Sequence, residues 1–138
     1  MNTYLALKYS APSGFFSKLF HNLTKARLLT RYPHSGIVVG DQLMHSTLAH
    51  GLHRVTFKPE GWLLIPIRPA IDSVAAFELM EGTRYDWFSL LAFVLPWRVR
   101  NRDWLYCYEW CWYVQTGQMP VERVTPEDLA IEALRQKP

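Results

Sequence analysis

Read for hydrophobic spacing alone, the chain opens with TYLALKYS, a weakly alternating run that predicts a strand, and then changes period. In SGFFSKLFHNLTKARLL, Phe16, Leu19, Phe20 and Leu23 share one face behind Ser13, a suitable N-cap, so a short amphipathic helix is expected. Pro33 breaks the chain. HSGIVVGD then reads as a compact strand closed by the hairpin signal Gly40-Asp41. QLMHSTLAHG and LHRVTF predict the next strands, with Gly51 at the bend, and GWLLIPI (61–67) predicts another.

The second half returns to helical spacing. Asp72 or Ser73 caps SVAAFELMEG, which stops at Gly82. YDWFSLLAFVL predicts a second helix, ended by Pro96. RDWLYCYEWCWYVQTG predicts a third, with Asp103 as N-cap and Gly117 as stop. TPEDLAIEALRQ predicts a fourth: Thr125 caps, Pro126 takes the first helical position, and Glu127 and Asp128 suit the helix dipole. A helix near the start, a central block of antiparallel strands and then helices make an α+β fold. Without repeats or low-complexity linkers, the 138 residues are expected to form one domain.

Composition narrows the class. Apolar residues make up 49% and charged residues 20%, which excludes global disorder. A net charge of +3, with one small basic patch at WRVRNR, gives no platform for nucleic acid. The longest apolar stretch, WFSLLAFVLPW, has about eleven residues and is too short to span a bilayer, so no integral membrane segment is expected. The N-terminus lacks the charged and apolar regions of a signal peptide. With two cysteines, this predicts reduced thiols and a cytoplasmic location.

Both cysteines sit in YCYEWCWYVQTG, four positions apart on the predicted third helix. One reading is that Cys107 and Cys111 are small buried hydrophobes. A disulfide between them is disfavoured, because side chains at i and i+4 run parallel. A zinc site from both cysteines and two histidines lacks the knuckle turn of structural zinc sites. The remaining reading is chemical. Cys107 lies about one turn into the helix, where unpaired backbone N–H groups and the helix dipole favour a thiolate. A nucleophilic thiol needs a base and a group to orient that base. His34 opens HSGIVVGD and His45 lies in LMHSTL, so a hairpin at Gly40-Asp41 brings the two towards cross-strand opposition. His50 and His53 lie close in sequence and spacing alone does not choose among them. His21 has no evident partner.

These residues carry a resemblance. HSGIVVGDQLMHS is similar to the histidine signature of circularly permuted papain-like proteins, the permuted branch of NlpC-type cysteine peptidases that includes the lecithin:retinol acyltransferase group. The histidine strand precedes the cysteine helix in that family, as here, and YCYEWCWYVQTG resembles its Cys-x-Glu motif. RYDWFSLLAF and VTPEDLAIEAL resemble the Tyr-Asp segment and tail helix of bacterial and phage members. In outline the likeness covers residues 30 to 135.

The resemblance implies a permuted papain-like fold and a cysteine peptidase or amidase, without a cofactor or metal. It implies Cys107 as nucleophile, His34 as base and His45 as the orienting group. Tyr85 and Tyr106 would line the substrate or oxyanion side, Glu109 would be the motif acid, and Cys111 would belong to the core. Glu109 lies about 200° around the helix from Cys107, which predicts a structural contact with Arg100, Arg102 or a backbone amide. The implied reaction is hydrolysis or acyl transfer at a peptide, isopeptide or peptidoglycan stem-peptide amide, with lipid esters as a further substrate class. The alternative is a catalytically silent adaptor or phage structural protein that binds a protein partner. Two features depart from the family pattern: Tyr108 replaces a small residue, and MHSTLAHGLH is rich in histidine.

Overall fold

The computed structural model describes residues 2–9, 32, 34–47, 49–84, 107–121 and 124–136. The helices expected in 13–29 and 85–95, and the caps Ser13 and Asp103, lie outside them. The described elements are five strands, β1 (Thr3–Lys8), β2 (His34–Val39), β3 (Gln42–Thr47), β4 (Gly51–Thr56) and β5 (Trp62–Ile67), and three helices. The helices are α1 (Ser73–Met80), α2 (Cys107–Thr116) and α3 (Pro126–Arg135). The fold is α+β, as the spacing predicts.

The strands form one antiparallel sheet in the order β4-β3-β2-β1-β5. The β2–β3 hairpin turns at Gly40-Asp41, where Gly40 takes the left-handed φ of 62° that such a turn requires. β1 is inserted between β2 and β5, with Lys8 in register with His34 on one side and Trp62 on the other. This long-range pairing has no local signature in the sequence.

Side chains alternate across the sheet with period two, and each face has its own cluster. One face carries Leu5, Leu7, Ile37, Val39, Met44 and Leu52 and packs against Phe77, Trp110, Val114 and Leu129 of the helices. The other carries Ala6, Val38 and Leu43, flanked by Tyr4, Phe57, Trp62 and Leu64. Trp110 is fully buried, and its indole N–H donates to the Met44 carbonyl at 3.1 Å, so a large apolar ring enters the core with its polar edge satisfied.

The helix ends follow the sequence signals. Asp72, not Ser73, caps α1, accepting from the Val74 and Ala75 amides at 3.0 Å. Thr125 and Asp128 form a reciprocal capping box on α3. Gly117 ends α2 at a φ of 73°. The start of β4 is fastened to the exit of α1: Leu52 N–H donates to the Thr83 carbonyl and Gly82 N–H to the Leu52 carbonyl, both at 2.8 Å. Gly51, with a φ of 64°, allows this approach, because a Cβ there would run into the Thr83 carbonyl. Gly51→Ala is expected to cost about 2 kcal/mol or more through left-handed strain and this collision. Gly82→Ala, at a φ of 83° with open space around it, is expected to cost only about 1 kcal/mol. Urea denaturation of the two variants checks the difference; equal losses would remove the collision from the account.

Candidate active site

The hairpin brings two of the expected residues together. His34 Nε2 lies 2.7 Å from His45 Nδ1, and the rings tilt at 60°. Gly36 makes room for this: a Cβ there would stand 2.6 Å from Leu43 Cδ1 and 3.1 Å from His45 Cβ. His45 also faces His53, its register partner on β4, with ring centroids 4.6 Å apart. His53 Nδ1 donates to the Gly51 carbonyl at 2.9 Å, since a carbonyl only accepts, and this fixes its proton on that nitrogen. His50 packs edge-on to His53. The histidines that the sequence left open therefore extend the His34–His45 pair along one face.

Burial sets the charge of His45. Desolvation first, then the nearby charges of His53, Lys8 and His50, push its pKa down to about 3, so the ring is neutral. Its Nε2 is buried without a hydrogen-bond partner. One N–H serves the His34–His45 bond, and either ring can supply it. When His34 Nε2 donates, neutral His34 carries its lone pair on Nδ1 and is a base there, while His45 keeps its own proton on the buried Nε2.

The cysteines lie on the other face. Cys107, the first residue of α2, and Cys111 are both buried among the helix-side cluster. The Cys111 thiol donates to Ser35 Oγ at 3.3 Å. The Ser35 backbone and hydroxyl, with the backbone at Cys107 and Tyr108, also hydrogen-bond the Cys107 sulfur, but burial outweighs them and pushes its thiol up to about 11. Burial raises Cys111 as well. The thiolate expected from the helix position is thus corrected: desolvation exceeds what the helix end supplies. Ser35, which sequence reasoning passed over, is the residue that both thiols meet. Strand alternation sends Ser35 to the cysteine face and His34 to the opposite one. The structure unites His34 with His45 and does not set the Cys107 thiol on their face.

Glu109 is buried, 1% exposed. Tyr108, whose bulk departs from the family pattern, donates its hydroxyl to the Tyr32 carbonyl at 2.9 Å and is core. Tyr85, Tyr106, Arg100 and Arg102 lie outside the described residues. Among the described residues no group of three or more His, Cys, Asp or Glu is placed to hold a metal ion, and the zinc alternative has its cysteines and its histidine pair on opposite faces. A cavity of about 460 Å³ lies at the far end of β1, between Asn2, Tyr4 and Arg68, away from the histidines. Among the described residues no helix is long and apolar enough to cross a membrane. Compared with known proteins, the chain matches no family model, no curated protein and no solved structure.

The neutral His45 has a consequence for stability. Its pKa is lower in the folded chain than the ordinary 6.5, so below that pH the unfolded chain binds a proton that the folded one refuses. Stability from this group is present above about pH 6.5 and is lost as pH falls towards 3. Between pH 7 and pH 5 the wild type should lose about 2 kcal/mol more than His45→Asn, which retains a polar group near the Nδ1 position. Urea denaturation at the two pH values checks this, and equal losses would show that His45 titrates normally.

Proposed function

We propose that the chain is a thiol hydrolase or acyltransferase acting on an amide bond, with Cys107 as nucleophile, His34 as base and His45 orienting the base. The observation that carries this reading is the 2.7 Å contact between His34 Nε2 and His45 Nδ1. A neutral, buried imidazole within hydrogen-bond reach of a second one can hold that ring in place as a nucleophile's base. The order of histidine strand and cysteine helix, resembling that of permuted papain-like enzymes, supports the same assignment.

The thiol and the base flank one point of β2: Cys107 borders Ser35, the residue that follows His34. The described arrangement is a resting state with a protonated thiol. The reaction requires the Cys107 thiol to reach the histidine side at the start of β2, where it gives its proton to His34 Nδ1. Its sulfur then forms a bond to the amide carbon. The resulting oxyanion takes hydrogen bonds from backbone N–H groups at the start of the cysteine helix. As the C–N bond breaks, the imidazolium returns the proton to the departing amine, and water or another acceptor resolves the thioester.

A second reading has its own observation. The burial of Cys107, with its thiol pushed up to about 11, suits a silent relative that keeps the fold and serves as an adaptor. The basic patch WRVRNR, which with Trp97 and Trp104 such an adaptor would offer to a partner, lies outside the described residues.

Alkylation by iodoacetamide across pH 4 to 9, in a Cys111→Ser background, separates the two readings. The hydrolase reading expects His34 to draw the proton from a thiol that burial holds up, so that Cys107 reacts below pH 9 in the wild type and loses that reactivity in His34→Ala. A thiol that stays unreactive below pH 9 and is indifferent to His34 would sink that reading and leave the adaptor.

A further inference from the structure

The face that carries the histidine pair also carries a cation that has no counter-ion among the described residues. Lys8 ends β1, in register with His34 on β2 and Trp62 on β5, so the three side chains form one row across three strands. The Lys8 ammonium stands 5.3 Å from the centre of the Trp62 ring, and the His34 ring lies 5.8 Å from that same ring. The tryptophan face holds the cation beside the imidazoles by cation–π attraction. Lys8 is half-buried, which lowers its pKa, and its charge is one of those that keep His45 neutral.

Such a cation is expected to have an acidic partner. None of the five strands contains an aspartate or a glutamate. The nearest acid in sequence to the row is Glu60, in the turn before Trp62, and it is exposed and forms no ion pair with Lys8. Among the described residues the ion pair present is Arg135–Glu132, on α3. A partly desolvated ammonium beside a tryptophan wall, on strands without an acidic residue, forms a receptor for a small oxyanion.

We propose that Lys8 anchors a carboxylate of the substrate beside the His34–His45 pair, so that the substrate class is an amide compound bearing a free carboxylate near the scissile bond. This rests on the hydrolase reading, which makes the histidine face the place where substrate sits. Lys8 is a binding residue here and takes no part in proton transfer. The Trp62 ring supplies an apolar wall for the carbon chain that links carboxylate to amide.

The test is a titration of the full chain with N-acetylglycine and with its neutral twin N-acetylglycinamide, followed by the imidazole ¹H–¹⁵N signals of His34, His45 and His53. N-acetylglycine should give saturable shifts. Affinity should fall about tenfold or more in Lys8→Met and stay close to wild type in Lys8→Arg. Lys8→Gln replaces Lys8→Met should the latter fail to fold. The neutral twin should bind more weakly and ignore the substitution. Equal binding of acid and amide, or an affinity unchanged in Lys8→Met, would overturn the proposal. The titration does not involve the thiol. Lys8-dependent binding beside an inert Cys107 therefore removes the hydrolase and leaves the anion site, whereas a reactive, His34-dependent Cys107 without carboxylate selectivity removes only the anchor.

Discussion

The arrangement depends on one geometric constraint, the two-residue alternation of β2 with both of its faces covered. Consecutive side chains must leave a strand on opposite sides. Ser35 therefore enters the helix-side core, where both thiols meet it, while His34 turns to the other face and meets His45. A register slip of one residue would exchange the two sets and bury an imidazole against α2. The buried Ile37 and Val39 on one side, and Val38 on the other, make that slip costly. Neighbouring residues of one strand thus define two separate environments, on either side of a boundary one strand thick.

Desolvation governs the groups on both sides of that boundary. It pushes His45 down and both thiols up, so the most buried members of the cluster are uncharged at neutral pH. The low polarity that holds the thiol protonated also strengthens each hydrogen bond to an ion formed there. Tyr108 fits the same logic. Its ring fills core volume and its hydroxyl reaches the Tyr32 carbonyl, so the bulky residue between Cys107 and Glu109 braces the segment just before the histidine strand.

Elements with local signals were legible in the sequence. The Gly40-Asp41 turn, the Thr125 cap and the Gly117 stop each rest on a residue whose backbone preference or side-chain oxygen does the work within a few positions. The approach of His34 to His45 follows from that same turn, because a tight hairpin fixes register. Residues brought in by distant pairing were not legible. The place of β1 between β2 and β5 put Lys8 and Trp62 beside His34, and nothing in TYLALKYS or GWLLIPI announces those neighbours. Ser35 escaped notice because a serine in a strand carries no signal until the helix that covers it is known. The acidity of Cys107 was misjudged for the same reason: position on a helix is local, whereas burial is a property of the whole fold.

The fastening of Leu52 to Gly82 and Thr83 also bears on how this sheet behaves among other copies of itself. β4 is the outermost strand on its side, and an outer strand presents bare amide and carbonyl groups on which another chain can template. Both polar groups of the Leu52 backbone are already taken by the exit of α1. A foreign strand therefore cannot pair at Leu52, because the protein's own chain already occupies it. The bend at Gly51 serves as a guard on the sheet margin, working against aggregation as well as shaping the route from α1.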